Sequence, residues 1–118
     1  MPKLTPRQSK LSDLIRRELA LIIRDRMSDP RIGRVTVSEV GIAKDLSSAK
    51  VYISALDEKT RANSVIALNH AAGFLRTCLA EVLKLRVTPA LHFLEDTSIE
   101  HGDHIIKLIK EQTPKLND

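Results

Sequence analysis

One glycine inside an apolar helical stripe constrains this fold more than any other feature of the sequence. Leu68, Ala72, Leu75, Leu79 and Val82 recur at helical spacing, and the stripe runs to about Leu83. Gly73 interrupts it, although a glycine within a helix costs about 1 kcal/mol relative to alanine. Phe74, directly after it, falls off the stripe when both halves share one axis. A kink at Ala71-Ala72-Gly73 would re-aim Phe74 into the core, so the segment reads as helix–kink–helix. Asp57 or Thr60 opens it, and Val87-Thr88-Pro89 ends it.

The flanking segments say what the kinked pair packs on. Val35 to Ile42 reads as a strand whose alternation changes parity between Val37 and Val40, which predicts a bulge there. Asp45-Leu46-Ser47-Ser48 supplies turn chemistry, and Ala49 to Ala55 is a second strand with cleaner alternation. So short a loop makes the two strands antiparallel neighbours. Leu91-His92-Phe93-Leu94, flanked by breakers, is a third strand. Thr97-Ser98-Ile99-Glu100 is a capping box with Asp96 as a rival cap, and Ile105, Leu108 and Ile109 give a last helix its apolar edge.

The chain opens with another helix. Thr5 caps, Pro6 suits the first helical position, and Gln8 completes a capping box. Leu11, Ile15, Leu19, Ile22 and Arg26 line one face, with Leu14, Ile23 and Met27 nearby. Lys10, Arg17 and Arg24 fall almost opposite, as a basic outer stripe. Pro30 disfavours helix at Asp29, so the helix stops before Ser28-Asp29-Pro30, and Arg31-Ile32-Gly33-Arg34 is a short basic connector.

The order α-β-β-α-kink-α-β-α predicts an α+β domain, with helices covering one face of a three-stranded sheet. The 118 residues form one domain, with residues 1–4 and 112–118 as frayed ends. Two strands flanking a kinked helix pair match the βααβ core of a KH module, which grips nucleic acid at its interhelical turn. The usual G-x-x-G loop is replaced here by Ala71-x-Gly73.

Charge narrows the partner. Residues 1–50 hold 11 Lys/Arg against 6 Asp/Glu, while residues 51–118 hold 8 against 9. The positive excess in the N-terminal half suits a polyanion, and its bland alternative is a solvated basic face. Aromatics are 3% of the chain, which argues against a base-stacking aromatic platform. A single cysteine, Cys78, excludes a disulfide framework and a Cys-based zinc site, and it reads as a small buried hydrophobe. No apolar run spans a bilayer and no signal peptide opens the chain, so a cytoplasmic protein is expected. His101 and His104 lack a second ligand pair, and no metal is expected. Gly33, Gly41, Gly73 and Gly102 are dispersed and form no nucleotide loop. The reading is therefore of a binding protein without cofactor, not an enzyme.

Several strings resemble ribosome-binding factor A. They are Asp29-Pro30-Arg31, then Asp45-Leu46-Ser47-x-Ala49-Lys50-Val51-Tyr52, then Ala71-Ala72-Gly73-Phe74-Leu75-Arg76. The fourth is Leu85-Arg86-x-x-Pro89-x-Leu91-x-Phe93-x-x-Asp96-x-Ser98, followed by Gly102. They occur in the family's order over residues 7–109. The resemblance implies a KH-like fold of the second type with an Ala-x-Gly kink. It also implies a free-standing monomeric factor that binds the small (30S) ribosomal subunit. The family assists late maturation of 16S rRNA near its 5′ end and the decoding region, most of all in the cold. The C-terminal end is shorter here than in some relatives.

The expected RNA contacts are Lys10, Arg17, Arg24, Arg31 and Arg34, which would bind phosphates in a salt-dependent way without reading sequence. His70 and Arg76 flank the kink, and Arg76 is the better phosphate ligand because its charge is permanent. Lys50 and Arg86 would extend the surface. Gly73 has two readings: a packing glycine that lets the helix pass close to a neighbour, or bare backbone that RNA approaches.

Overall fold

A computed structural model of the chain describes residues 6–98. Helix α1 spans Pro6–Arg26, strand β1 Thr36–Ile42, strand β2 Ser48–Ser54, helix α2 Glu58–His70, helix α3 Ala72–Leu83 and strand β3 Ala90–Glu95. The Thr5 cap, the helix expected after Thr97 with Ile105, Leu108 and Ile109, both frayed ends, and His101 and His104 lie outside the described residues.

The sheet has the order β1-β2-β3, with β1 antiparallel and β3 parallel to β2. Parallel strands need a long crossover, and α2 with α3 supplies it. The parity change in β1 is a bulge. Val37 pairs with Ile53 and Glu39 with Tyr52, so Ser38 is the extra residue. The bulge lets both Val37 and Val40 face inward, at 4% exposure each. The Ser38 hydroxyl donates to the Asp96 carboxylate just past β3, so the extra residue ties the two outer strands together.

All three helices lie on the face formed by Val37, Val40, Ile42, Ala49, Val51, Ile53, Leu91 and Phe93. Helix α1 presents Ile15, Leu19, Ile22 and Ile23 to β1 and α3, as its spacing predicts. Arg26, expected on that face, reaches across with its Nη1 to the buried Cys78 Sγ at 3.5 Å. Asp57 is the cap of α2, accepting the Thr60 N–H at 2.8 Å and the Thr60 hydroxyl at 2.7 Å. Its lowered carboxyl pKa follows from those two bonds.

The break between α2 and α3 falls at Ala71, whose N–H still reaches the Ala67 and Leu68 carbonyls at 3.1 Å. Three readings of this segment are corrected. Phe74 does not enter the core: it is 51% exposed. Leu75, Cys78 and Leu79 fill the space over the sheet, and Phe74 is left on the flank of α3. Val82 lies on the stripe by angle, but it belongs to the last turn and stays exposed. Gly73 is not a packing glycine either. A Cβ there would meet nothing within 4 Å, and no glycine among the described residues has a positive φ.

Candidate nucleic-acid interface

The connector is positioned by α2. A Cβ on Gly33 would lie 2.5 Å from Thr60 Cγ2, so only glycine lets the connector lie this close to the helix. The Gly33 N–H donates to Ser64 Oγ at 3.2 Å, and that hydroxyl donates to the Arg31 carbonyl at 3.4 Å. Asp29, further back along the connector, lies within electrostatic reach of His70 at the end of α2. Residues 29–33 therefore run alongside α2, from its C-terminal end towards its start.

Between this connector and the end of α1 lies a groove of about 350 Å³, lined by Ala20, Ile23, Arg24, Met27, Ile32, Gly33, Arg34, Val35 and Val37. Its lining side chains are mostly aliphatic, and its two cations, Arg24 and Arg34, come from different elements. Lys10, Arg17 and Arg24 are exposed on α1 at seven-residue intervals, about 10 Å apart along its axis. The basic stripe of α1 thus leads into the groove, where Arg34 joins it.

Two of these cations have local partners. Arg24 Nε donates to Asp25 Oδ1 at 2.8 Å. Arg31 holds the Asp29 carboxylate with Nε at 3.1 and 3.2 Å and Nη2 at 2.7 Å. The Arg31 N–H adds a bond of 2.9 Å to Asp29 Oδ1. The side-chain bond from Arg31, followed by its backbone bond, holds the Asp29 carboxyl down to a pKa of about 2. Both pairs are solvent-exposed, so water and salt screen them and a phosphate can compete for the guanidinium. Lys10, Arg17 and Arg34 form no ion pair within the described residues.

The remaining expected contacts are dispersed. Lys50 pairs with Gly41 and His92 across the sheet, on the face turned away from all three described helices. It lines a separate hollow with Glu39, Gly41 and Tyr52, and does not join the connector surface. Arg86 is exposed on the loop after α3. His70, Ala71 and Gly73 meet at the kink, with His70 and Gly73 exposed and Ala71 half-buried. Arg76 is committed to the fold: its Nε and Nη2 donate to the Thr88 carbonyl at 2.9 and 2.7 Å, fixing the loop that leads into β3.

Three residues near this surface escape the reading of the sequence. Asn69 donates from Nδ2 to the Phe93 carbonyl at 2.9 Å and accepts the Phe93 N–H at 2.8 Å, so it pairs the outer edge of β3 as a neighbouring strand would. Arg61, 4% exposed, donates from Nε to Glu95 Oε1 at 2.9 Å. Ser64 holds the connector. The strand-like use of Asn69 and the pairing of Arg61 join residues 24 and 34 positions apart, and local pattern holds no signal of them.

The chain is similar to known proteins in sequence and fold. A family model described as Ribosome-binding factor A matches residues 7–109. A ribosome-binding factor A of Alkalilimnicola ehrlichii is 46% identical over 113 residues, 94% of this chain and 87% of its own. The crystal structure of ribosome-binding factor A from Thermus thermophilus is 33% identical, with a TM-score of 0.68 over 75% of this chain and 93% of that one. A homology model of the Thermus thermophilus protein, fitted into a cryo-EM map of its complex with 30S, gives a TM-score of 0.64 at the same identity and coverage. The KH-like α+β fold and the match across nearly the whole chain agree: this protein belongs to the ribosome-binding factor A family.

Proposed function

We propose that this chain is a cytoplasmic, monomeric single-domain factor that binds the small ribosomal subunit through its precursor 16S rRNA. It assists late maturation of that RNA near its 5′ end, including at low temperature. The observation that carries the reading is the meeting of the α1 basic stripe with Arg34 across one groove. Family membership supports it, as does the 30S complex of the Thermus thermophilus relative. Lys10, Arg17, Arg24 and Arg34 form the phosphate-facing track, with Arg31 joining when its pair with Asp29 opens. His70, Ala71 and Gly73 form a second approach at the kink. Lys50 on the opposite sheet face and Arg76 on the Thr88 carbonyl contribute at most at the margin, while Arg86, exposed on the loop after α3, extends the surface.

The reading requires no catalysis. A factor that binds one conformation of the precursor RNA more tightly than another favours it by that difference in affinity alone. Gradient sedimentation tests the reading. The protein co-migrates with free small subunits and dissociates as salt rises. Migration only with complete ribosomes, or with no particle, refutes it.

A further inference from the structure

Phe74 and Gly73 both depart from what the fold asks of them, and in the same direction. The chain has three aromatic residues. Phe93 is buried at 2% exposure and Tyr52 is half-buried in the sheet, whereas Phe74 stands 51% exposed on the first turn of α3. The core does not need it, because Leu75, Cys78 and Leu79 already dock α3. Beside it, Gly73 is exposed, has no positive φ, and leaves open space where a Cβ would stand. Neither packing nor backbone conformation calls for a glycine there: the Gly73 carbonyl accepts the Thr77 hydroxyl at 3.1 Å, and the side where a Cβ would stand is open to what approaches from outside. His70, exposed just before the kink, stands near the connector that carries Asp29 and Arg31.

We propose that Phe74 is a nucleobase-stacking site, where the phenyl ring takes the flat face of one unpaired RNA base whose backbone crosses Gly73 towards His70 and the connector. The inference rests on the proposed function and deepens it, by naming the one ring that stacks a base at the kink, a single contact and not the aromatic platform that the composition argues against. One exposed ring beside bare backbone fits an unpaired nucleotide: the ring offers a π-face, and the open space at Gly73 leaves room for the sugar-phosphate backbone to pass. Stacking of this kind tolerates any base, so the site selects for an unpaired nucleotide and not for a sequence. An apolar protein partner would use the same ring without needing its π-system, and this separates the two.

The test uses the full chain and purified small subunits. Phe74→Leu keeps an apolar side chain and loses the aromatic face. Phe74→Trp keeps the face and installs the sole tryptophan, since the natural chain has none. Because Phe74 is exposed, both variants keep the parent's unfolding midpoint. Phe74→Leu weakens subunit binding between about 5- and 150-fold, the range for loss of one stacked base. Phe74→Trp binds as the parent does, and its fluorescence is quenched by subunits and by a single-stranded oligoribonucleotide but not by duplex RNA. Parent-like binding by Phe74→Leu overturns the proposal. So does a tryptophan that shifts to the blue without quenching, the sign of a protein contact. If the parent chain itself fails to bind small subunits, the proposed function falls and this site with it. If Arg17→Glu with Arg24→Glu abolishes binding while Phe74→Leu does not, the function stands and the stacking site alone is refuted.

Discussion

The arginines of α1 and the connector differ from those of the kinked helix pair in what they hold. Arg61 and Arg76 hydrogen-bond within the fold, one to Glu95 and one to the Thr88 carbonyl, and each fastens a helix to an end of β3. Arg17 and Arg34 form no ion pair within the described residues, and Arg24 and Arg31 hold only aspartates one or two positions away. The residue type is the same, but one set is committed to the fold and the other is surplus to it. A surplus cation on a groove is available to a polyanion; a committed one is not, whatever the net charge suggests.

Removing a committed arginine breaks that comparison most visibly. The Arg61 side chain is 5% exposed, while Glu95 is 38% exposed and recovers some hydration when left alone. Arg61→Ala is expected to cost about 2–3 kcal/mol in denaturant unfolding, less than for a fully buried pair. Arg61→Met keeps the aliphatic volume and recovers part of the loss; full recovery would show that the pair is worth nothing. Asn69→Ala comes next. It leaves the Phe93 N–H and carbonyl without their partner at the edge of β3, at a cost of about 1–2 kcal/mol because water reaches part of the site. An unchanged midpoint would mean the edge is solvated already.

Gly73→Ala reverses the sign. With open space for the new methyl and no positive φ to strain, the substitution should stabilise the protein by about 0.5–1 kcal/mol. Binding to small subunits should weaken in the same variant. Greater stability with undiminished binding would show that RNA does not approach the kink. Arg17→Glu with Arg24→Glu sharpens the other side of the comparison. The unfolding midpoint stays where it was, and the slope of log affinity against log salt falls by about 1 for each phosphate no longer neutralised. Equal loss of folding would show that the stripe is structural.

Much of this architecture is legible locally. The parity change at Val37 and Val40 announces the bulge, because inward positions must stay apolar on a one-sided sheet. The α1 stripe, the stop at Asp29-Pro30 and the break at Ala71 follow from spacing and from the chemistry of proline and glycine. What periodicity does not supply is which apolar residues the neighbours cover. Apolar character alone assigns Phe74 and Val82 to the interior, but Leu75, Cys78 and Leu79 already fill the space available. Charge alone groups Lys50 with the other cations, although its alternation with Ala49 and Val51 turns it to the opposite face. Asp25 and Asp29 stand one and two positions from the arginines they hold, so local sequence does reveal those pairs. Asn69 and Arg61 act across tertiary distance, where local sequence is silent.

The smallest expected effect tests how firmly the connector holds its own cation. Asp29 titrates at about 2 in the folded chain, below its ordinary 3.8, first because of the Arg31 guanidinium and then because of the Arg31 N–H. A depressed carboxylate pKa adds stability above the unfolded value, and this is lost as pH falls from about 4 through about 2. A carboxyl NMR titration should place the midpoint near the lower figure. Arg31→Ala removes the guanidinium but keeps the backbone bond, so the midpoint rises without reaching the ordinary value. Bound RNA should move it the same way, because a phosphate that draws Arg31 away leaves Asp29 with only the N–H. A midpoint that ignores RNA would assign Arg31 to the committed arginines and remove it from the phosphate track.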